Sequence, residues 1–261
     1  MTYGFIGTGN LVQTMFKGFA ATGQGYDICI HDVDTQKMQT TAAAYGYTPC
    51  ATAADVTRAS VVVLAVKPNQ LPGLLAEIGD AIRTNQPTLV SLPVGITAQA
   101  IETALGFPTP IIRAIPNVNA AVFASITALC ANDKTDPAAA AAVEALFASI
   151  GTTVHLPEQH LDTFTAIASS APAFLITFLE TLAKAALKEG MPIHQAREIV
   201  AAMAAGTAKL LSAEDAHPQT VVDRIASPGG TTIAGLAGLT AAGFEASIYQ
   251  GVAACVARMK N

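Results

Sequence analysis

From Tyr3 to Leu156 the chain alternates short β-rich runs with helical stretches, and this alternation limits its fold more than any other feature. The runs are Tyr3 to Ile6, Asp27 to His31, Val61 to Val66, Thr88 to Leu92, Ile111 to Ile115 and Thr153 to Leu156. Strands separated by helices predict a doubly wound, mainly parallel sheet, because parallel neighbours need a crossover long enough to hold a helix. Val61-Val62-Val63-Leu64-Ala65-Val66 shows no polar alternation, as expected of a mid-sheet strand covered on both faces.

After about residue 157 the strand signals stop. An alanine-rich helical pattern continues to the C-terminus, broken at Gly190-Met191-Pro192, Ala216-His217-Pro218 and Ser227-Pro228-Gly229-Gly230. We read an α/β unit over residues 1–157 and an all-helical unit over residues 158–261. With 261 residues, 51% of them hydrophobic, the chain can fill both cores. The helix expected around Ala173 to Lys188 is apolar almost all round, since Phe174, Leu175, Ile176, Phe178, Leu179, Leu182 and Leu187 do not share one stripe. A helix without a wet face must be buried on every side, and a unit of this size achieves that most easily against a second copy, so a homodimer is expected.

Charge narrows the partners. A net charge of −5 with only 14 Lys and Arg argues against a nucleic-acid or anionic-membrane surface and for a small-molecule substrate. Cys29, Cys50, Cys130 and Cys255 form no Cys-x-x-Cys pair and read as free, buried thiols of a reducing compartment. The strand at Tyr3 leaves no room for a signal peptide, and no uninterrupted apolar run approaches the roughly 20 residues of a membrane span. A cytoplasmic protein is expected. His155 and His160 flank Glu158 across a proline and need not share a face, so no metal site is read there. His31, His194 and His217 stand singly at element ends as surface or capping residues.

Gly7-Thr8-Gly9-Asn10-Leu11-Val12 follows a strand and opens a helix. In that setting the first glycine allows a tight turn, the second admits a pyrophosphate to the backbone, and the helix N-terminus offers unpaired N–H groups and the positive end of its dipole. Val12 occupies the place of a third glycine, so the pattern is incomplete. Asp32 closes the second strand 20 positions later, where a carboxylate hydrogen-bonds the ribose hydroxyls of NAD; its other reading is a cap on the next helix. No Arg follows it immediately, the next residues being Val33-Asp34-Thr35, which leans the reading to NADH while NADPH stays possible. Ala65-Val66-Lys67-Pro68 follows a strand at the carboxyl edge of the sheet, where crevice ligands bind; Lys67 reads equally as a cofactor contact and as a solvated lysine. These features together make a Rossmann-type dinucleotide domain and an oxidoreductase the expected outcome.

Five segments then resemble one family in order along the chain: Gly7-Thr8-Gly9-Asn10-Leu11, Ala65-Val66-Lys67-Pro68, Arg113-Ala114-Ile115-Pro116-Asn117, Ser170-Ala171-Pro172-Ala173-Phe174, and Ser227-Pro228-Gly229-Gly230-Thr231-Thr232-Ile233-Ala234-Gly235-Leu236. The family is the pyrroline-5-carboxylate reductases. The resemblance implies hydride transfer from NAD(P)H to the cyclic imine of 1-pyrroline-5-carboxylate, giving L-proline, by a dimer with intertwined C-terminal helices that sometimes assembles further. It implies that the Thr232 hydroxyl contacts the substrate near its nitrogen, that Ser227, Gly230 and Thr231 belong to the same loop, and that Pro116 and Asn117 flank the nicotinamide. The chain departs from the family pattern at Val118, Asn119, Ala168 and Ala171. A related cyclic imine as substrate, or a nucleotide-sensing regulatory role, are the alternatives these departures leave.

Overall fold

A computed structural model describes residues 1–259. Its described residues form one eight-stranded sheet: β1 (Thr2–Ile6), β2 (Asp27–His31), β3 (Thr48–Pro49), β4 (Val61–Leu64), β5 (Thr88–Ser91), β6 (Ile111–Ile115), β7 (Ser125–Ala131) and β8 (Gly151–His155). The spatial order is β3-β2-β1-β4-β5-β6-β7-β8, and every pair is parallel except β6–β7. β4 lies inside the sheet with all four residues buried, as its unbroken apolar run requires. The chain leaves β1 for β2 on one side and later returns to place β4 on the other. That reversal opens a crevice at the carboxyl ends of β1 and β4.

Two strands escape the sequence reading. β3 is two residues long and ends in a proline, too short for any periodic signal. β7 is absent from the runs named in the sequence; its Ser125, Ala128 and Cys130 lack the branched and aromatic character of a strand. It forms because it can pair with β6 on one side and β8 on the other. Its polar Ser125 and Thr127 are buried and hydrogen-bonded to each other at 3.3 Å.

The helices of this half are α1 (Asn10–Ala21), α2 (Thr35–Tyr45), α3 (Ala53–Val56), α4 (Leu71–Asn85), α5 (Ala98–Leu105), α6 (Pro137–Ala148) and α7 (Leu161–Phe164). They cover both sheet faces. Phe5, Val63, Phe16, Phe19 and Phe147 build one core, and Leu64, Leu75, Ile78, Leu89 and Ile101 build the other. Side chains fix several helix starts: Asp34 accepts from Lys37 N at the head of α2, Thr52 and Asp55 make a reciprocal capping box on α3, and Thr97 and Asp136 cap α5 and α6.

The remaining helices are α8 (Ala171–Lys188), α9 (Ile193–Ala213), α10 (Pro218–Ile225), α11 (Thr231–Ala241) and α12 (Phe244–Met259). α8, α9 and α10 end at the breaks read in the sequence, whereas the break between α11 and α12 at Ala242-Gly243 was not among them. By internal packing the chain divides into a compact unit of residues 1–169, to which Arg258 also belongs, and a compact unit of residues 170–257. Within the second, α8 and α9 meet through Ala183, Ala196 and Val200. Ala183 is the one buried residue of α8, while Leu175 is 53% and Ile176 65% exposed. The helical run Glu158–Lys188, though interrupted by polar residues such as Glu180, reaches a mean hydropathy of 1.5 over a window long enough to cross a membrane by length and composition. An apolar surface of this extent on a folded unit demands a cover.

Candidate active site

The glycine turn sits at the β1–β4 crevice. Gly7 takes φ +99°, and a Cβ placed there would lie 2.6 Å from the Ala65 carbonyl oxygen, so only glycine fits. Gly9 is different: its φ of −64° is ordinary and a Cβ would meet nothing within 4 Å. Its missing side chain serves open space. Gly9 begins α1, whose first turn carries neither a side-chain cap nor an acidic residue, unlike α2, α3, α5 and α6. The N–H groups and dipole of α1 are therefore left for an anion. Val12, in place of a third glycine, is 2% exposed and packs into the core, so α1 stands far enough from the sheet to admit it.

A cleft of about 510 Å³ opens beside this turn, lined by Gly7, Gly9, Asp32, Ala65, Val66 and Lys67 among others. A second, of about 360 Å³, is lined by Gly9, Asn10, Leu11, Ala65, Val66, Lys67 and Pro68. These residues from three separate segments converge on one edge of the sheet. Thr8 does not line either cleft. It is fully buried behind the turn, and both its backbone N–H (2.6 Å) and its hydroxyl (2.7 Å) donate to Asp32 Oδ2. Asp34 N donates to Asp32 Oδ1 at 3.0 Å. Burial raises the Asp32 carboxyl, but the hydrogen bonds from Asp34 and Thr8 outweigh it and hold the group below the ordinary carboxylate value. Asp34, not Asp32, caps α2, so the capping reading of Asp32 is excluded. Asp32 instead ties the end of β2 to the glycine turn.

Sequence reasoning passed over several lining residues. Lys37, on the first turn of α2, adds a cation to the cleft that holds Asp32. His31, read as a surface or capping residue, lines the same cleft with its Nδ1 3.1 Å from the Cys50 carbonyl oxygen. Pro93 and Val94, just beyond β5, line the second cleft; their place at a strand's carboxyl edge is the same signal that singled out Lys67. Pro116 and Asn117 are buried and belong to neither lining. Cys29 and Cys50, distant in sequence, are neighbours and only half-buried. Burial, followed by the Cys50 neighbour, pushes the Cys29 thiol up to about 12, which keeps it unreactive.

In the helical unit, Ser227 to Gly230 form a turn closed by Gly230 N donating to Ser227 O at 3.0 Å. Gly229 takes φ +69°. A Cβ on Gly230 would lie 2.5 Å from Ser227 Oγ, so the turn is as tight as its glycines permit. Gly230 begins α11 without a side-chain cap, and Thr231 and Thr232 occupy the first turn with no acidic residue. Thr232 is half-buried; Thr231 and Ser227 are exposed. This helix start, like that of α1, leaves N–H groups unpaired by side chains and suits a carboxylate. His217 caps α10 by accepting from Gln219 N, and His155 pairs with Glu144 at 3.1 Å.

A doubly wound sheet with an uncapped glycine turn at its switch point, followed by an apolar helical unit, defines the class of dinucleotide-dependent oxidoreductases that dimerise through their C-terminal helices. Two family models divide the chain accordingly: one described as "NADP oxidoreductase coenzyme F420-dependent" matches residues 2–95, and one described as "Pyrroline-5-carboxylate reductase dimerisation" matches residues 158–261. The chain is 31% identical to pyrroline-5-carboxylate reductase of Escherichia coli K12, over 99% of this chain and 97% of that one, and 37% identical to that of Synechocystis over 77% and 74%. It is similar to the crystal structure of 1-pyrroline-5-carboxylate reductase from Streptococcus pyogenes, with a TM-score of 0.92, 31% identity and coverage of 100% and 98%. The chain belongs to the pyrroline-5-carboxylate reductase family.

Membership supplies the cover that α8 lacks, a second copy of the chain. Sedimentation at low micromolar concentration should return the mass of a dimer, and a monomer there would contradict the reading of α8 as an interface.

Proposed function

We propose that this protein reduces 1-pyrroline-5-carboxylate to L-proline with NAD(P)H, as the last step of proline synthesis in the cytoplasm. The observation that carries this reading is the end-to-end identity with reductases of that name. When bound, NAD(P)H would supply the hydride for the imine carbon and water the proton for the nitrogen, so that C=N becomes CH–NH. No strong acid or metal is required, and the protein's work is positioning. The turn Gly7 to Leu11 would take the pyrophosphate on the N–H groups of α1, with Ala65 to Pro68 along the other wall. The backbone of Gly230 and Thr231 would anchor the substrate carboxylate, with the Ser227 hydroxyl alongside. Thr232 would orient the ring nitrogen through its hydroxyl.

The departures at Val118, Asn119, Ala168 and Ala171 leave the backbone of this segment tied down: Asn119 N donates to Asn117 Oδ1, and Ala168 O accepts from Asn117 Nδ2. Asp32 supports NADH as the preferred donor, while Lys37 in the same cleft supplies a cation for a 2′-phosphate, so NADPH is also used. The functional division falls at 157/158, where the dimerisation match begins, and the dimer works away from a membrane and can assemble further.

The test is the oxidation of NADH and of NADPH at 340 nm by purified protein with 1-pyrroline-5-carboxylate. Thr232→Ala should lower kcat roughly 10–100-fold, the scale of a lost transition-state hydrogen bond, and leave dinucleotide Kd within about twofold. Equal loss of both would remove Thr232 from the substrate site.

A further inference from the structure

The turn that carries Ala168 is not an ordinary helix. Residues Thr165–Ser170 form a π-helical turn between α7 and α8, a form that is rare and concentrated at functional sites. Its cause is legible four residues on. Pro172 has no N–H to give the Ala168 carbonyl, and a proline ring pushes that carbonyl aside. The donor comes from elsewhere in the chain: Asn117 Nδ2 donates to Ala168 O at 2.9 Å. Asn117 Oδ1 accepts from Asn119 N at 3.1 Å, so both ends of the amide are engaged. Ser169 Oγ adds a bond to Pro116 O at 3.2 Å. Asn117 is 4% exposed.

We propose that Asn117 is a positioning residue for imine reduction: it replaces the donor that Pro172 removes and fixes the π-turn on the segment after β6, at the carboxyl edge of the sheet. The dinucleotide crevice opens on that same edge. This assignment differs from the sequence expectation that Asn117 flanks the nicotinamide directly, because its amide is already committed. It rests on the reductase reading only for its effect on kcat.

The experiment is a double-substitution cycle. Asn117→Ala should lower kcat at least tenfold and leave the Kd for NADH, read by fluorescence titration, within about twofold. Pro172→Ala returns a backbone N–H to the Ala168 carbonyl. In that background Asn117→Ala should cost at least threefold less in kcat and less in melting temperature, because the two residues serve one acceptor. If Asn117→Ala does not fold, Asn117→Ser is carried through the same cycle. Losses in kcat and Kd of equal size would make Asn117 a cofactor ligand and overturn the proposal. So would an unchanged kcat, or an effect that Pro172→Ala leaves undiminished. Should the parent chain not reduce 1-pyrroline-5-carboxylate, the reading of function fails separately, and the melting-temperature coupling and the Kd still decide for Asn117.

Discussion

Gly9→Ala is expected to weaken dinucleotide binding by about 100-fold while leaving the melting temperature within a few degrees of the parent. Gly9 has a backbone conformation open to any residue, and an added methyl touches no protein atom. It therefore projects into the space the two clefts share, where the pyrophosphate must approach the first N–H groups of α1. Losing one or two charge-assisted hydrogen bonds there costs about 3 kcal/mol, which is the factor of about 100. Gly7→Ala should lose stability as well. Its methyl would collide with the Ala65 carbonyl at a φ that L-residues avoid, so the turn itself must move and stability falls along with binding. Thermal unfolding and a fluorescence titration with NADH, run on both variants, separate the two effects. If Gly9→Ala binds NADH as the parent does, the pyrophosphate does not lie against this turn.

The difference between these two glycines bears on how much a sequence can disclose. Alternating runs were enough to place six strands, the parallel sheet and the change to an all-helical unit, because each depends on local composition and period. The motif reading located Gly7, Gly9, Asp32 and Lys67 for the same reason. It could not tell which glycine the fold needs and which the ligand needs, since that depends on Ala65, far along the chain. Nor could it show that Asp32 is held by Thr8, or that Asn117 answers the proline at 172. β7 was hidden because its stability comes from two neighbours rather than from its own residues. Lys37 lies only five residues beyond Asp32, in the first turn of α2, and its nearness to the cleft was open to the same local reading that found Asp32.

Arg113 carries the same lesson into stability. It lies in β6, with Ser91 of β5 and Cys130 of β7 as its cross-strand neighbours, and its side chain is 3% exposed. A guanidinium so placed has lost its hydration, and among the described residues its Nε and Nη2 find no hydrogen-bond partner. Its compensation is Glu158, whose Oε1 lies 3.3 Å from Nη1 and also accepts Ala98 N at 2.8 Å at the start of α5. Removing one member of a buried pair costs about 3–5 kcal/mol because the other charge is stranded. Glu158 is 35% exposed, so solvent screens part of that, and Glu158→Ala should cost about 3 kcal/mol. That corresponds to a fall of roughly 10 °C in melting temperature, measured at fixed protomer concentration because the protein is a dimer. Arg113→Met removes the charge at similar volume and should cost much less, and Glu158→Ala in that background should add little. A fall of under about 2 °C for Glu158→Ala alone would mean that Arg113 draws its stabilisation from something other than this carboxylate.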